Sequence, residues 1–338
     1  MRHGTRAGML LATLATTLGT GLAVWAAGSG MASAQSVTLH LGHVQQANHP
    51  MQIASERFAE LVAEATDGEV EVISYPAEQL ANLRGGAEGV QLGTVDIFWV
   101  DSGTLGNWVP EYSFVSLPFM FADFASAIAA MDGLEDELVA AMREDLNVER
   151  LAWAPAGFRV ILSNGRPVNE AADLDGLKIR VPEIPIYVNT FAALNANATP
   201  LPWGDVYTAL QTGVVEGVEG PPAAIRTAGF AEVADYMART NHIMTDLNIL
   251  MNLDRFNSLS ESQQAAIREA AHEAFDVWFR AEIQTSENEA YEELTGLMEA
   301  NNDPDIESFR EAMAPVWDDF IADSGPRAAV WIERAQGN

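Results

Sequence analysis

The chain has 338 residues, no cysteine, 48 Asp and Glu against 18 Lys and Arg, and a formal net charge of −30. This composition excludes disulfides, thiolate metal sites, iron–sulfur clusters and thiol nucleophiles. It also opposes nucleic acid and anionic membrane surfaces as partners. With 48% hydrophobic residues the chain can bury a core without staples, and its length predicts about two domains.

Residues 1–34 read as an export signal. Arg2 and Arg6 precede the apolar run 9-MLLATLATTLGTGLAVWAA-27, and 32-ASAQ-35 offers a small-x-small cleavage site after Ala34. A permanent anchor is the weaker alternative. Removing the signal leaves 16 basic against 48 acidic residues, a net charge of −32. No later segment approaches the roughly 20 apolar residues that span a bilayer, so no direct membrane insertion is expected after cleavage. The expected location is periplasmic.

Next, 36-SVTLHLGHV-44 alternates as a strand. Pro50 then opens a helix that Gly68 stops. A second alternating strand, 69–76, a helix ending at 85–93, and the buried strand 94-TVDIFWV-100 complete a βαβ pattern with a largely parallel sheet. The middle repeats the theme, with strands at 158–164 and 177–182, helices at 186–196 and 205–213, and a strand-like 214–220 before Pro221-Pro222. Strand 247–256 is placed to return to the first sheet. From Ser260, a capping-box residue with Gln263, a helical period runs without Pro or Gly to Gly296. A helix of that length, about 45 Å or more, outreaches one small domain and is expected to lie across two. A last helix covers 306–325.

Nothing in the sequence signals catalysis. GxSxG is absent, the mature chain has no GxGxxG or phosphate-loop pattern, and its histidines form no HExxH. No metal, cofactor or enzymatic activity is expected. The cations say more. In 176-GLKIRVPEIP-185, Lys178 is the only lysine of the chain and Arg180 ends an apolar strand. Arg159 lies in another such strand. An arginine among apolar strand residues is expensive to desolvate unless an anion or structural acids compensate it, and both readings are open for each. Lys178 is expected at the exposed end. Trp203, in 200-PLPWGD-205, divides evenly between lining a pocket and packing. Asp101 follows the strand bearing Phe98 and Trp99, beyond whose carboxyl end ligands of α/β sheets bind.

Seven segments in order carry a resemblance: 41-LGHVQQANHP-50, 75-YPAEQLANLRGGAEGVQLGTVDI-97, 117-LPFMF-121, 157-GFRVILSN-164, 174-LDGLKIRVPE-183, 200-PLPWGDVYTALQTGVVEGVEGPP-222 and 241-NHI-243. Over about residues 37–325 the chain resembles the solute receptors of tripartite ATP-independent periplasmic (TRAP) transporters, of the DctP type.

The resemblance implies an α/β fold of the periplasmic binding protein type, with two α/β domains, a hinge and a long domain-spanning helix. The implied domains are 36–156 plus 246–284 and 157–245 plus 285–330. It further implies that Arg180 makes a bidentate salt bridge to a ligand carboxylate, that Arg159 gives a second contact, and that Trp203 packs on the ligand. Asp101 would meet the ligand's polar part, and the residues near 45-QQANH-49, Asn48 above all, would lie at the mouth of the first domain. Where many relatives carry an Asn that hydrogen-bonds the ligand, 216-EGVEGP-221 has Gly220, which leaves room and removes a donor.

The implied partners are a small-molecule organic acid, inclined towards a monocarboxylate with polar substituents, and the TRAP membrane permease subunits. A receptor serving a signalling partner, and an exported enzyme on the same fold, are the alternatives.

Overall fold

The computed structural model describes residues 37–337, so the export signal lies outside the described residues. In chain order the first elements are β1 (Val37–Gly42), α1 (Pro50–Ala65), β2 (Val70–Tyr75), α2 (Leu83–Leu92), β3 (Ile97–Val100), α3 (Ser102–Leu105), α4 (Phe124–Gly133), α5 (Glu135–Leu146) and β4 (Val148–Phe158). There follow β5 (Val160–Ser163), β6 (Lys178–Val181), α6 (Pro185–Ala193), β7 (Asn197–Pro200), α7 (Val206–Gln211), β8 (Gly217–Gly220), α8 (Pro222–Thr227) and β9 (Tyr236–Ala238). The chain ends with β10 (Met244–Asn252), α9 (Leu253–Asn257), α10 (Glu261–Ala271), α11 (Arg280–Leu297), β11 (Glu299–Asn301), α12 (Ile306–Asp323) and α13 (Gly325–Ala335).

Two sheets result, which we call the first and second lobes. The first has the order β2-β1-β3-β10-β4 and the second β11-β9-β5-β8-β6-β7. β1 runs parallel to β2 and β3, as the βαβ pattern requires. All four residues of β3 are buried, the continuous apolar run of a strand covered on both faces. Phe98 fits there because Gly42 and Gly86 have no side chain; a Cβ on Gly42 would stand 2.7 Å from its ring. β10 does return to the first sheet, inserted antiparallel between β3 and β4.

The long helix forms as the periodicity predicts, with wide π turns over His272–Phe279 joining α10 to α11. From Glu261 to Leu297 it spans roughly 55 Å at ~1.5 Å per residue. Its early part packs on α1 and β4, its late part on α8 and β11, so it runs along both sheets. The expected helix 306–325 forms as α12, and a further helix, α13, follows it. Ser324 ends α12, Gly325 takes φ +76°, and Pro326 occupies the first turn of α13. α12 packs on α6, while α13 crosses to α4, burying Trp331 against Tyr112 at 5.4 Å.

The expected strand 158–164 is also divided. β4 belongs to the first sheet, β5 to the second, and Arg159 lies at the junction, its N–H donating to the Ile243 carbonyl. Gly157 makes that junction possible with φ +137°. A Cβ there would collide with the Glu287 carboxyl of α11 and stand 2.7 Å from Pro221 Cβ. Glu287 itself is buried, accepts the Ala223 N–H at 3.0 Å, and is raised by burial to about 8. Gly157→Ala should therefore destabilise the protein by about 2 kcal/mol or more through backbone strain and overpacking. Chemical denaturation measures it, and a change below about 0.5 kcal/mol, the size of an ordinary surface substitution, would refute this account of the junction.

Candidate ligand-binding site

A cavity of ≈ 90 Å³ opens between the carboxyl ends of β3 and β6. Arg180, Arg159, Trp203 and Asp101 all line it. Asn48 does not; its side chain is exposed, and its neighbours Gln45 and His49 line the cavity instead. Gly220 lies behind the Trp203 ring, where an added Cβ would rest 3.7 Å from Trp203 Cη2 and 3.5 Å from Ile225 Cγ1. These are ordinary contacts, so the backbone at this position has room for a side chain.

Arg180 sits in β6, with Val181 held extended by Pro182. It is 3% exposed. Its Nε and Nη2 both donate to the Leu201 carbonyl, at 2.9 and 2.6 Å. Three arginines are buried among the described residues. Arg150 pairs with Glu135 and Arg159 with Glu219, but Arg180 has no carboxylate partner. Burial consequently pulls its pKa down to about 10, with only partial relief from the more distant Glu219 and opposition from Arg159. The guanidinium stands 5.5 Å from the Trp203 ring centroid, and Trp203 leans on Phe230 at 4.9 Å. Lys178, at the far end of the same strand, is exposed, as expected.

Arg159 has a different environment. Its Nη2 donates to Glu219 Oε1 at 2.6 Å, its Nε to Glu219 Oε2, and its Nη1 to Thr245 Oγ1 at 2.7 Å. Burial disfavours both charges, but the pair outweighs it: Glu219 is held at about 2 and Arg159 above its ordinary value. His242 Nε2 lies 3.5 Å behind Glu219 Oε2, and its Nδ1 meets Thr240 Oγ1 at 2.8 Å. The antiparallel register of β5 on β8 creates this pair, placing Ile161 opposite Glu219.

Asp101 caps α3, its carboxylate accepting the Thr104 N–H at 2.7 Å and the Thr104 hydroxyl at 2.9 Å. Burial, with Asp246 nearby, raises it to about 6. Asp246 in turn accepts from the Ser102 N–H and hydroxyl and from Trp153 Nε1.

Two further polar lining residues were not singled out by the sequence reading, although His49 lies in the stretch 45-QQANH-49 expected at the mouth of the first domain. Tyr187, in the first turn of α6, lies 4.9 Å from the Arg159 guanidinium, and its hydroxyl has no protein partner among the described residues. The signal was available: Pro185 starts a helix directly after the Arg180 strand. His49 is the second; a residue just before a helical Pro is a cap position, and it takes that role for α1. Trp99 also lines the cavity, donating Nε1–H to Ser55 at 3.0 Å, while Phe98 is core. No group of three or more His, Asp or Glu among the described residues could hold a metal. None of their helices is long and apolar enough to cross a membrane.

Comparison with known proteins shows the family. Residues 41–323 match the family described as bacterial extracellular solute-binding protein, family 7 (DctP). A solute-binding protein of Roseobacter denitrificans is 34% identical, over 73% of this chain and 76% of its own. Its crystal structure with bound L-galactonate superposes with a TM-score of 0.83 at 30% identity, covering 89% and 99% of the two chains. A TRAP periplasmic solute-binding protein of Polaromonas sp. JS666, solved with D-erythronate, gives 0.84 at 29% identity, covering 89% and 98%.

Proposed function

The chain belongs to family 7 of the bacterial extracellular solute-binding proteins, a family of receptors and not of enzymes, and we propose that it captures one small carboxylate between its lobes and carries it to a TRAP membrane permease. The observation that carries this reading is Arg180, a buried guanidinium with no counterion among the described residues. Its fork leaves N–H groups for two parallel bonds to a carboxylate, and it cannot lose its proton at working pH. Arg159 is already neutralised by Glu219, so the cavity offers one unpaired buried cation. With Asp101 and Glu183 also in the wall, this favours a monocarboxylate bearing hydroxyl or carbonyl groups.

Arg159, Trp203 and Asp101 then act as the ligand's surroundings, Trp203 as an apolar wall. Gly220 leaves space that a larger side chain would fill. In this reading the lobes are 36–156 plus 246–284 and 157–245 plus 285–330, and ligand binding shifts their equilibrium towards closure. Residues 1–34 direct export to the periplasm and are removed.

The test is a thermal-shift panel on the mature protein, with D-erythronate, L-galactonate, their uncharged lactones and an amine. A tight carboxylate at a hundred times its dissociation constant adds about 2.7 kcal/mol of stability. A shift by lactone or amine but by no carboxylate overturns the reading.

A further inference from the structure

The floor of the cavity on the first lobe holds a histidine whose chemistry is fixed by its place in the chain. His49 is the N-cap of α1, and its Nδ1 accepts the Met51 N–H at 3.2 Å. An Nδ1 that accepts must be unprotonated, so the neutral ring carries its hydrogen on Nε2. The ring is 2% exposed and lines the same cavity as Arg180. Nε2 has no protein partner among the described residues, and it is not among their sealed, partnerless polar atoms, so it opens on the cavity. Burial, reinforced by His43 and Arg226, holds its pKa down to about 3, so the ring does not gain a second proton under working conditions.

We propose that His49 is a specificity-determining residue that donates Nε2–H to an uncharged oxygen of the ligand while Arg180 holds the carboxylate. The inference rests on the carboxylate-receptor reading above. A neutral ring whose one acceptor is spent on Met51 can only donate. It therefore selects a hydroxyl or carbonyl oxygen and disfavours an ammonium at the same place. The ligand class narrows to hydroxy or keto monocarboxylates. Because His49 comes from the first lobe and Arg180 from the second, one such molecule bonds both lobes at once.

His49→Asn separates the two duties of the residue, since Asn caps helices well but does not project a donor as far as Nε2. The probes are D-erythronate and L-galactonate, whichever binds the wild type more tightly, and the set of its singly deoxygenated counterparts. We expect H49N to keep the unliganded melting temperature within about 2 °C and to weaken binding of the parent acid about tenfold, a loss on the scale of one buried hydrogen bond. For one deoxy acid the two proteins should bind alike. Should H49N not fold, His49→Ser, also a good cap, takes the same comparison.

Binding of the parent acid within twofold of wild type overturns the proposal. So does an equal loss for every deoxy acid, which would mark a merely structural role. If lactone or amine stabilises the wild type and neither parent acid does, the carboxylate-receptor reading fails, and this inference with it.

Discussion

Arg180→Met should abolish carboxylate binding while leaving the unliganded protein as stable as the wild type, or more so. The two halves of this result have one cause. Burying a guanidinium without a carboxylate is unfavourable, and burial pulls its pKa down to about 10. Methionine replaces it with an apolar chain of similar length, and the two bonds to the Leu201 carbonyl and the contact with the Trp203 ring are lost. In the complex the ligand supplies the missing counterion, so the substitution strands a buried carboxylate at a cost of about 3–5 kcal/mol. That exceeds a hundredfold in affinity. Arg180→Lys should recover only part, because a hydrated point charge cannot make two parallel bonds. Calorimetry showing R180M within threefold of wild type would remove Arg180 from the site. A large fall in its unliganded melting temperature would instead make the residue structural.

Glu219→Gln should do the reverse, unfolding the protein early while sparing the carboxylate anchor. Arg159 then becomes a buried cation facing an amide. Breaking one partner of a buried pair costs about 3–5 kcal/mol, a fall in melting temperature on the order of 10 °C. The double change Arg159→Met with Glu219→Met should recover most of that loss, since neither charge is left alone. pH adds a signature. Glu219 is depressed in the folded state to about 2 from an ordinary 4.5, so its contribution is complete above the ordinary value and drains as pH falls towards 2. The E219Q deficit should therefore narrow in acid. A second consequence is read from binding: with Arg159 freed beside Arg180, the affinity for succinate should rise relative to that for a monocarboxylate. If E219Q melts with the wild type at neutral pH, the pair is not the structural element assigned here.

Much of this protein is legible before folding. The alternation of β1, Pro50 at the start of α1, the Ser260–Gln263 box and the unbroken period to Gly296 each reflect a local rule, and each element formed. Among the elements that went unread, α4, α5 and β4 did carry local signals, a capping box at Asp123 and Ser126, three acids in the first turn of α5 and a long buried run in β4, while three short strands carry none. β7 is polar and half-exposed along its length, β9 and β11 are three residues each, and a neighbouring strand defines them more than their own pattern. Asn48 shows the limit at single-residue scale. It and His49 are adjacent, and only the cap geometry of α1 turns one out to solvent and the other into the cavity.

By itself, then, the sequence determined many of the secondary elements, the lone cations among apolar strands and, through seven ordered segments, the family. The residues left each of Arg159 and Arg180 open between a ligand anion and structural acids, and only the resemblance ranked Arg180 as the anchor. The tertiary structure gave each its surroundings. Glu219 lies 60 residues from Arg159 along the chain and meets it through the β5–β8 register, whereas β6 presents Arg180 to a carbonyl and an indole. The cost of burying a charge is local, but its compensation comes from residues distant in sequence, and those are what the fold supplies.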